Sequence, residues 1–117
     1  MIKGMTRVTN NVLGTPYEVL LGTKSQIGIS EENMGECRSY SKKILVSTEQ
    51  DDCTEEELRV RTQEIVAHEI FHAYANEAGL DLTPDNEEMV ANFFMKTWRK
   101  MNNSILAICD ESGFLDK

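Results

Sequence analysis

The sequence predicts an α+β fold in a single domain spanning residues 1–117. A chain of 117 residues suits one domain with a modest hydrophobic core. Before about residue 50, short apolar runs alternate with turn signals, which is typical of β-strands. After it, the apolar residues recur at helical spacing. We therefore expect a small sheet over about residues 7–48, followed by two main helices.

The predicted sheet has four short strands in two pairs. They cover residues 7–13, 16–21, 36–40 and 43–48. Gly14-Thr15 predicts a hairpin turn in the first pair. Ile44-Leu45-Val46, an apolar and largely β-branched run, is the clearest strand. Residues 22–35 contain three glycines and several polar residues, which predicts a loop, and the sheet is expected to be antiparallel or mixed.

The first helix is predicted over about residues 54–79. Thr54 and Glu57 have the spacing of a capping box, and the first turn is acidic, as the helix dipole favours. Gly79 suits the position just past the helix end, because glycine readily adopts the left-handed conformation needed there. Apolar residues spread around most of this helix, so we expect other elements to enclose it on several sides.

The second helix is predicted over about residues 84–101. Thr83 suits the N-cap and Pro84 the first helical position. A helical tail is expected to follow, after a possible break at residues 102–104.

The composition narrows the functional classes. The net charge of −8 disfavours general binding to nucleic acid or to an anionic membrane, because an acidic surface displaces no counterions from phosphates. Cys37, Cys53 and Cys109 are odd in number and widely spaced, which predicts half-buried reduced thiols. No run reaches the roughly 18 apolar residues of a membrane span. Residues 1–7 lack the apolar segment of a signal peptide, so a cytoplasmic protein is expected.

The chemical signal is a motif in the middle of the first helix. The two histidines of the chain stand as His68-Glu69-Ile70-Phe71-His72, an H-E-x-x-H sequence. Residues four apart lie one above the other on a helix, so both imidazoles can bind one metal ion, Zn²⁺ being the expected one. Glu69 lies beside that ion, where it suits a general base acting on a metal-activated water. The alternative is two histidines hydrogen-bonded to neighbouring acids without a metal.

The third metal ligand is predicted to come from the start of the second helix. Glu87 and Glu88 are the main candidates, and because they lie about 100° apart on the helix, only one of them is expected to face the histidines. Glu87 shares the apolar stripe that should face the core, so His68, His72 and Glu87 are the predicted ligands. Asp81 and Asp85 are weaker candidates, because they suit turn and capping roles.

Residues 68–80 followed by 86–90 resemble short phage-encoded metallopeptidase-like proteins, which are similar to ImmA/IrrE-type and gluzincin enzymes. Weaker similarity extends the resemblance over residues 8–98. It implies a minimal zincin fold, with a small sheet, an active-site helix and a glutamate helix. In gluzincins an Asp that orients a ligand follows the metal-binding Glu by four residues. That position is Ala91 counted from Glu87, a departure, and Asn92 counted from Glu88, a closer match.

The expected activity is therefore that of a zinc-dependent endopeptidase acting on a protein or peptide, in the host cytoplasm if the chain is phage-encoded. The strand at residues 43–47 is considered as an edge for an extended substrate, although a core strand is the favoured interpretation. Arg38 and Tyr40 are considered as oxyanion donors. The alternative function is a non-catalytic zinc-bearing binding or virion-associated protein. A DNA-associated SprT-like protease is disfavoured by the acidic composition.

Overall fold

The computed structural model describes residues 4–49 and 52–114. Its strands are β1 (Thr6–Val12), β2 (Thr15–Gly22), β3 (Gly35–Arg38) and β4 (Lys43–Ser47). Its helices are α1 (Lys24–Ile27), α2 (Glu55–Glu77) and α3 (Pro84–Ser112). The predicted α+β class is confirmed. The predicted domain of residues 1–117 also includes residues 1–3, 50–51 and 115–117, which lie outside the described ones.

The four strands form one mixed sheet in the order β1-β2-β4-β3. β1 pairs with β2 and β3 with β4 in antiparallel fashion, whereas β2 and β4 run parallel. β4 is thus an inner strand, and Ile44, Leu45 and Val46 are almost completely buried. The suggestion that residues 43–47 form an edge is therefore wrong. An apolar run is buried on both sides, and the edges of this sheet are β1 and β3.

The β1–β2 hairpin is closed by a two-residue turn. Leu13 and Gly14 both have positive φ, 50° and 92°, as a type I′ turn requires. The turn therefore lies one residue earlier than predicted. Glycine meets this requirement without strain, whereas Leu13 is a non-glycine residue in the left-handed region.

The predicted loop over residues 22–35 contains a helical turn, α1, which sequence reasoning missed. Thr23 accepts a hydrogen bond from the amide of Gln26, and the Gln26 side chain accepts one from the amide of Thr23. This reciprocal pair is a capping box with glutamine in place of glutamate. Behind it, Ile27 and Ile29 pack with Leu20 and Leu45 in a small cluster.

The main core lies between the sheet and α2. Its fully or nearly fully buried members are Val12, Tyr17, Val19, Ile44, Val46 and Ala73. α2 also packs against α3, so it is covered on two sides, as its apolar residues predicted.

Both long helices begin as predicted. The Thr54 side chain accepts from the amide of Glu57, and that of Thr83 accepts from the amide of Asn86. α2 ends at a left-handed Gly79, φ 67°, and the Leu80 amide donates back to the Ala75 carbonyl at 2.9 Å. This is the predicted C-terminal cap.

α3 differs from its prediction because it continues without a break through residues 102–104 to Ser112. None of the helices in the described residues combines the length and the apolar character needed to cross a membrane. Cys37, Cys53 and Cys109 are half-buried thiols, as predicted.

Candidate metal centre

The H-E-x-x-H motif lies where α2 is held between β3 and α3. α2 contacts β3 and β4 on one side and α3 on the other. Ala91, which is 0% exposed, marks the line along which α3 faces α2. A residue without a bulky side chain at this point allows a close approach of the two helices. The first turn of α3 is thereby brought over the two histidines.

Three side-chain atoms converge at this point. The Nε2 atoms of His68 and His72 lie 3.3 Å apart. Oε1 of Glu88 lies 2.9 Å from the first and 2.8 Å from the second. A tetrahedral ion with bonds of about 2.0–2.1 Å spaces its ligands about 3.3 Å apart, so small outward shifts of Glu88 would fit one. His68, His72 and Glu88 thus form a group positioned to bind a metal ion.

The carboxylate in this group is Glu88 and not the predicted Glu87. The prediction assumed that only one of the two can face α2. Both do, because the helix line of closest approach runs through Ala91, about 60° from Glu88 and about 40° from Glu87 at about 100° per residue. Glu88 reaches the two Nε2 atoms, whereas Glu87 Oε2 lies 2.6 Å from the other nitrogen of His72, Nδ1.

Glu69 is buried beside the two histidines, with 7% of its surface exposed. Burial raises the pKa of its carboxyl from 4.5 to about 7, the charge of His72 opposes this, and those of Glu88 and Glu36 reinforce it. Among the described residues, the converging group is His68, His72 and Glu88, and Glu69 lies beside it.

A glycine at the start of β3 makes room for Glu69. A Cβ atom at Gly35 would lie 2.7 Å from Cγ2 of Ile65 and 3.0 Å from Oε2 of Glu69. Ile65 would have to shift to admit a Cβ atom here and Glu69 would have to give slightly, so the missing side chain of residue 35 lets the edge strand lie close to α2. Gly35 was not among the predicted site residues, because it was predicted as the last residue of a loop and not as the first residue of β3.

The two histidines have different surroundings. Burial disfavours the charged form of His72, but the hydrogen bonds with Glu87 and Glu88 outweigh it and raise its pKa. Within the described part of the chain, Nδ1 of His68 is buried without a hydrogen-bond partner. The pKa of Glu88 shifts in the opposite direction to that of His72. Burial alone would raise it, but the contacts with the two histidines outweigh burial and lower it.

An open cleft of about 640 Å³ leads to the group. β3 and the residue after it contribute Gly35, Cys37 and Ser39 to one wall. Burial raises the pKa of the Cys37 thiol to about 12, and the negative charges of Glu69 and Glu87 add to this. Cys37 is therefore a neutral thiol in the metal-free site, and it is not in the converging group of described residues. Asp81 lines the cleft.

The two residues considered as oxyanion donors do not line this cleft. Tyr40 is 98% exposed. Arg38 is engaged elsewhere, in an ion pair with Glu36 and a hydrogen bond to the carbonyl of Gly28.

No family model matches this sequence. Comparisons with curated proteins and with solved structures likewise give no significant match. The resemblance to metallopeptidases therefore stays a prediction, and the functional interpretation depends on the site itself.

Proposed function

We propose that this chain is a zinc-dependent endopeptidase in which His68, His72 and Glu88 hold the ion and Glu69 is the general base. The observation that supports it best is the convergence of two imidazole nitrogens and one carboxylate oxygen beside a buried glutamate. Two nitrogens and one oxygen form a donor set that suits zinc, and three protein ligands leave a fourth position open, as catalytic sites require.

Zinc bound at such a site supplies two things, a more acidic water molecule and a polarised carbonyl group. Glu69 has the properties that the remaining proton transfers need. Without the metal, burial raises the pKa of its carboxyl to about 7, which favours uptake of a proton. The carboxylate would accept the proton of the attacking water and then deliver it to the amine of the departing peptide.

The edge strand β3 supports a peptide as the substrate. Its residues Gly35 and Cys37 line the cleft, and β4 occupies only one of its two sides. An extended peptide can therefore pair with the outer edge of β3 through backbone hydrogen bonds, with its scissile bond near the histidines. In this proposal β3 takes the role that was considered for residues 43–47.

Glu69→Gln tests the catalytic part of the proposal. The variant should keep about one zinc per chain, because Glu69 is not among the ligands, yet lose cleavage of an unfolded protein such as casein by roughly 10²–10⁴-fold. Zinc content is measured by atomic absorption and cleavage by release of labelled peptides. Glu64→Gln, which removes a half-buried α2 carboxylate that is paired with Lys96 and lies outside the converging group of described residues, is the matched control and should behave as the parent does.

Equal cleavage by Glu69→Gln and the parent would refute the peptidase mechanism. A parent protein that binds zinc tightly but cleaves no unfolded substrate would instead favour the alternative, a non-catalytic zinc-bearing binding or virion-associated protein.

A further inference from the structure

Glu87 is the carboxylate of the site that contacts the Nδ1 atom of His72, on the side of the ring away from the converging atoms. Its Oε2 lies 2.6 Å from Nδ1 of His72, while Nε2 of the same ring faces Glu88 and His68. The side chain of Glu87 is 27% exposed, against 55% for Glu88, so Glu87 is the more enclosed of the two. A carboxylate only accepts hydrogen bonds, so the proton in this contact is on Nδ1.

We propose that Glu87 is a positioning residue, whose carboxylate accepts the Nδ1–H of His72 and holds the Nε2 lone pair toward the metal. This role rests on the metal site proposed above but not on peptide hydrolysis. A neutral imidazole carries one proton, so a proton kept on Nδ1 leaves Nε2 free to bind an ion. The negative charge of Glu87 also raises the basicity of the ring, so Nε2 donates its lone pair to the metal more strongly.

The two histidines differ in this respect, which makes the role specific to one ring. Nδ1 of His68 is buried and has no hydrogen-bond partner among the described residues. His72 is therefore the ring whose orientation is set by a side-chain carboxylate. The two adjacent glutamates at the start of α3 would thus have different roles. Glu88 would bind the ion, and Glu87 would orient His72.

Zinc titration of the purified variants tests this division. Glu87→Ala should weaken zinc binding by about 10–100-fold, the usual effect of losing such a partner. Glu87→Gln keeps an acceptor oxygen and should lose less, and it also covers the case in which Glu87→Ala folds poorly. Glu88→Ala should lose more than either. Asp85→Asn, at another acid in the first turn of α3, controls for the helix dipole.

A second readout follows the Nδ1–H proton of His72 in the zinc-bound protein by NMR. A hydrogen bond to a carboxylate should move it downfield of the corresponding proton of His68. In Glu87→Ala it should move upfield and exchange faster with water, whereas in Asp85→Asn it should stay in place.

The outcomes separate this role from the proposed function. If Glu87→Ala binds zinc as tightly as the parent and leaves the Nδ1–H resonance unchanged, Glu87 has no such role, although the site stands. If Glu87→Ala weakens binding more than Glu88→Ala does, Glu87 is itself a ligand and the inference is wrong. If the parent binds no zinc, the metal site and the role of Glu87 fail together.

Discussion

Glu77 shows how a single side chain fixes the end of the motif-bearing helix. It is the last residue of α2, where the helix dipole disfavours a negative charge. Hydrogen bonds from Lys42 at 2.7 Å, Tyr17 at 2.7 Å and Thr15 at 2.9 Å more than offset this. They lower the pKa of Glu77 from 4.5 to about 2, with Lys42 the largest contributor. Glu77 thus ties α2 to the β1–β2 hairpin and to the segment before β4.

This network predicts a pH-dependent contribution to stability. Because the pKa of Glu77 is depressed in the folded chain, its contribution is complete above about pH 4.5 and disappears as the pH falls toward 2. Glu77→Gln should therefore lower the urea midpoint at pH 7, and the difference from the parent should shrink between pH 4.5 and 2. Urea unfolding followed by circular dichroism measures both effects.

Glu64→Gln serves as the control for this measurement, because its ion pair with the largely exposed Lys96 should contribute little to stability. If the difference between Glu77→Gln and the parent stays constant from pH 7 to pH 2, the charge of Glu77 does not stabilise the fold.

At the scale of elements, the site depends on how closely the edge strand β3 lies against α2. Gly35 is the contact point, since its missing side chain leaves space filled by Ile65 and Glu69. The same approach buries Glu69 and so raises its pKa. The packing of β3 against α2 therefore influences the pKa of Glu69.

Gly35→Ala should destabilise the protein by about 1–3 kcal/mol, because the new methyl group meets a filled space. Denaturant unfolding measures the loss. A double-mutant cycle with Ile65→Ala locates its origin, since removal of the obstructing side chain should recover part of the cost. Strictly additive effects of the two substitutions would show that the contact between residues 35 and 65 does not carry the strain.

At the scale of the whole molecule, the last part of α3 extends beyond the region in which α3 packs against α2. The exposed large apolar residues of its last part are Met101, Ile105, Leu106 and Ile108. Among residues 102–112, only Cys109 is half-buried. An isolated helical segment of this length is marginal in water, so the end of α3 depends on its connection to the packed part.

Hydrogen exchange should reveal this gradient within one helix. Amides of residues 102–112 should exchange at least tenfold faster than those of residues 88–98, because fraying from the end exposes no packed surface. Mass spectrometry of peptides from the two segments measures the rates, and residues 62–73 of α2 provide an internal reference. Equal protection along α3 would contradict this and would indicate that the exposed stripe is covered in solution.

The features that depend on local spacing could be predicted from the amino-acid sequence. The H-E-x-x-H motif, the Thr54 and Thr83 caps and the Gly79 terminus depend on residues within a few positions of one another, so the helix register could be derived without coordinates. The α+β class followed from periodicity in the same way. The capping box of α1 is a local signal too, but the three glycines and the polar residues of this segment led to the prediction of a loop.

The packing of the elements against one another determines which carboxylate joins the histidines, which strands lie at the sheet edges and why glycine suits position 35. Each depends on distances between elements that are far apart in the chain. Glu87 and Glu88 show the physical reason most clearly. The helix angle alone suggested a choice between them, whereas the packing line through Ala91 turns both long side chains toward α2 and places them at different nitrogens.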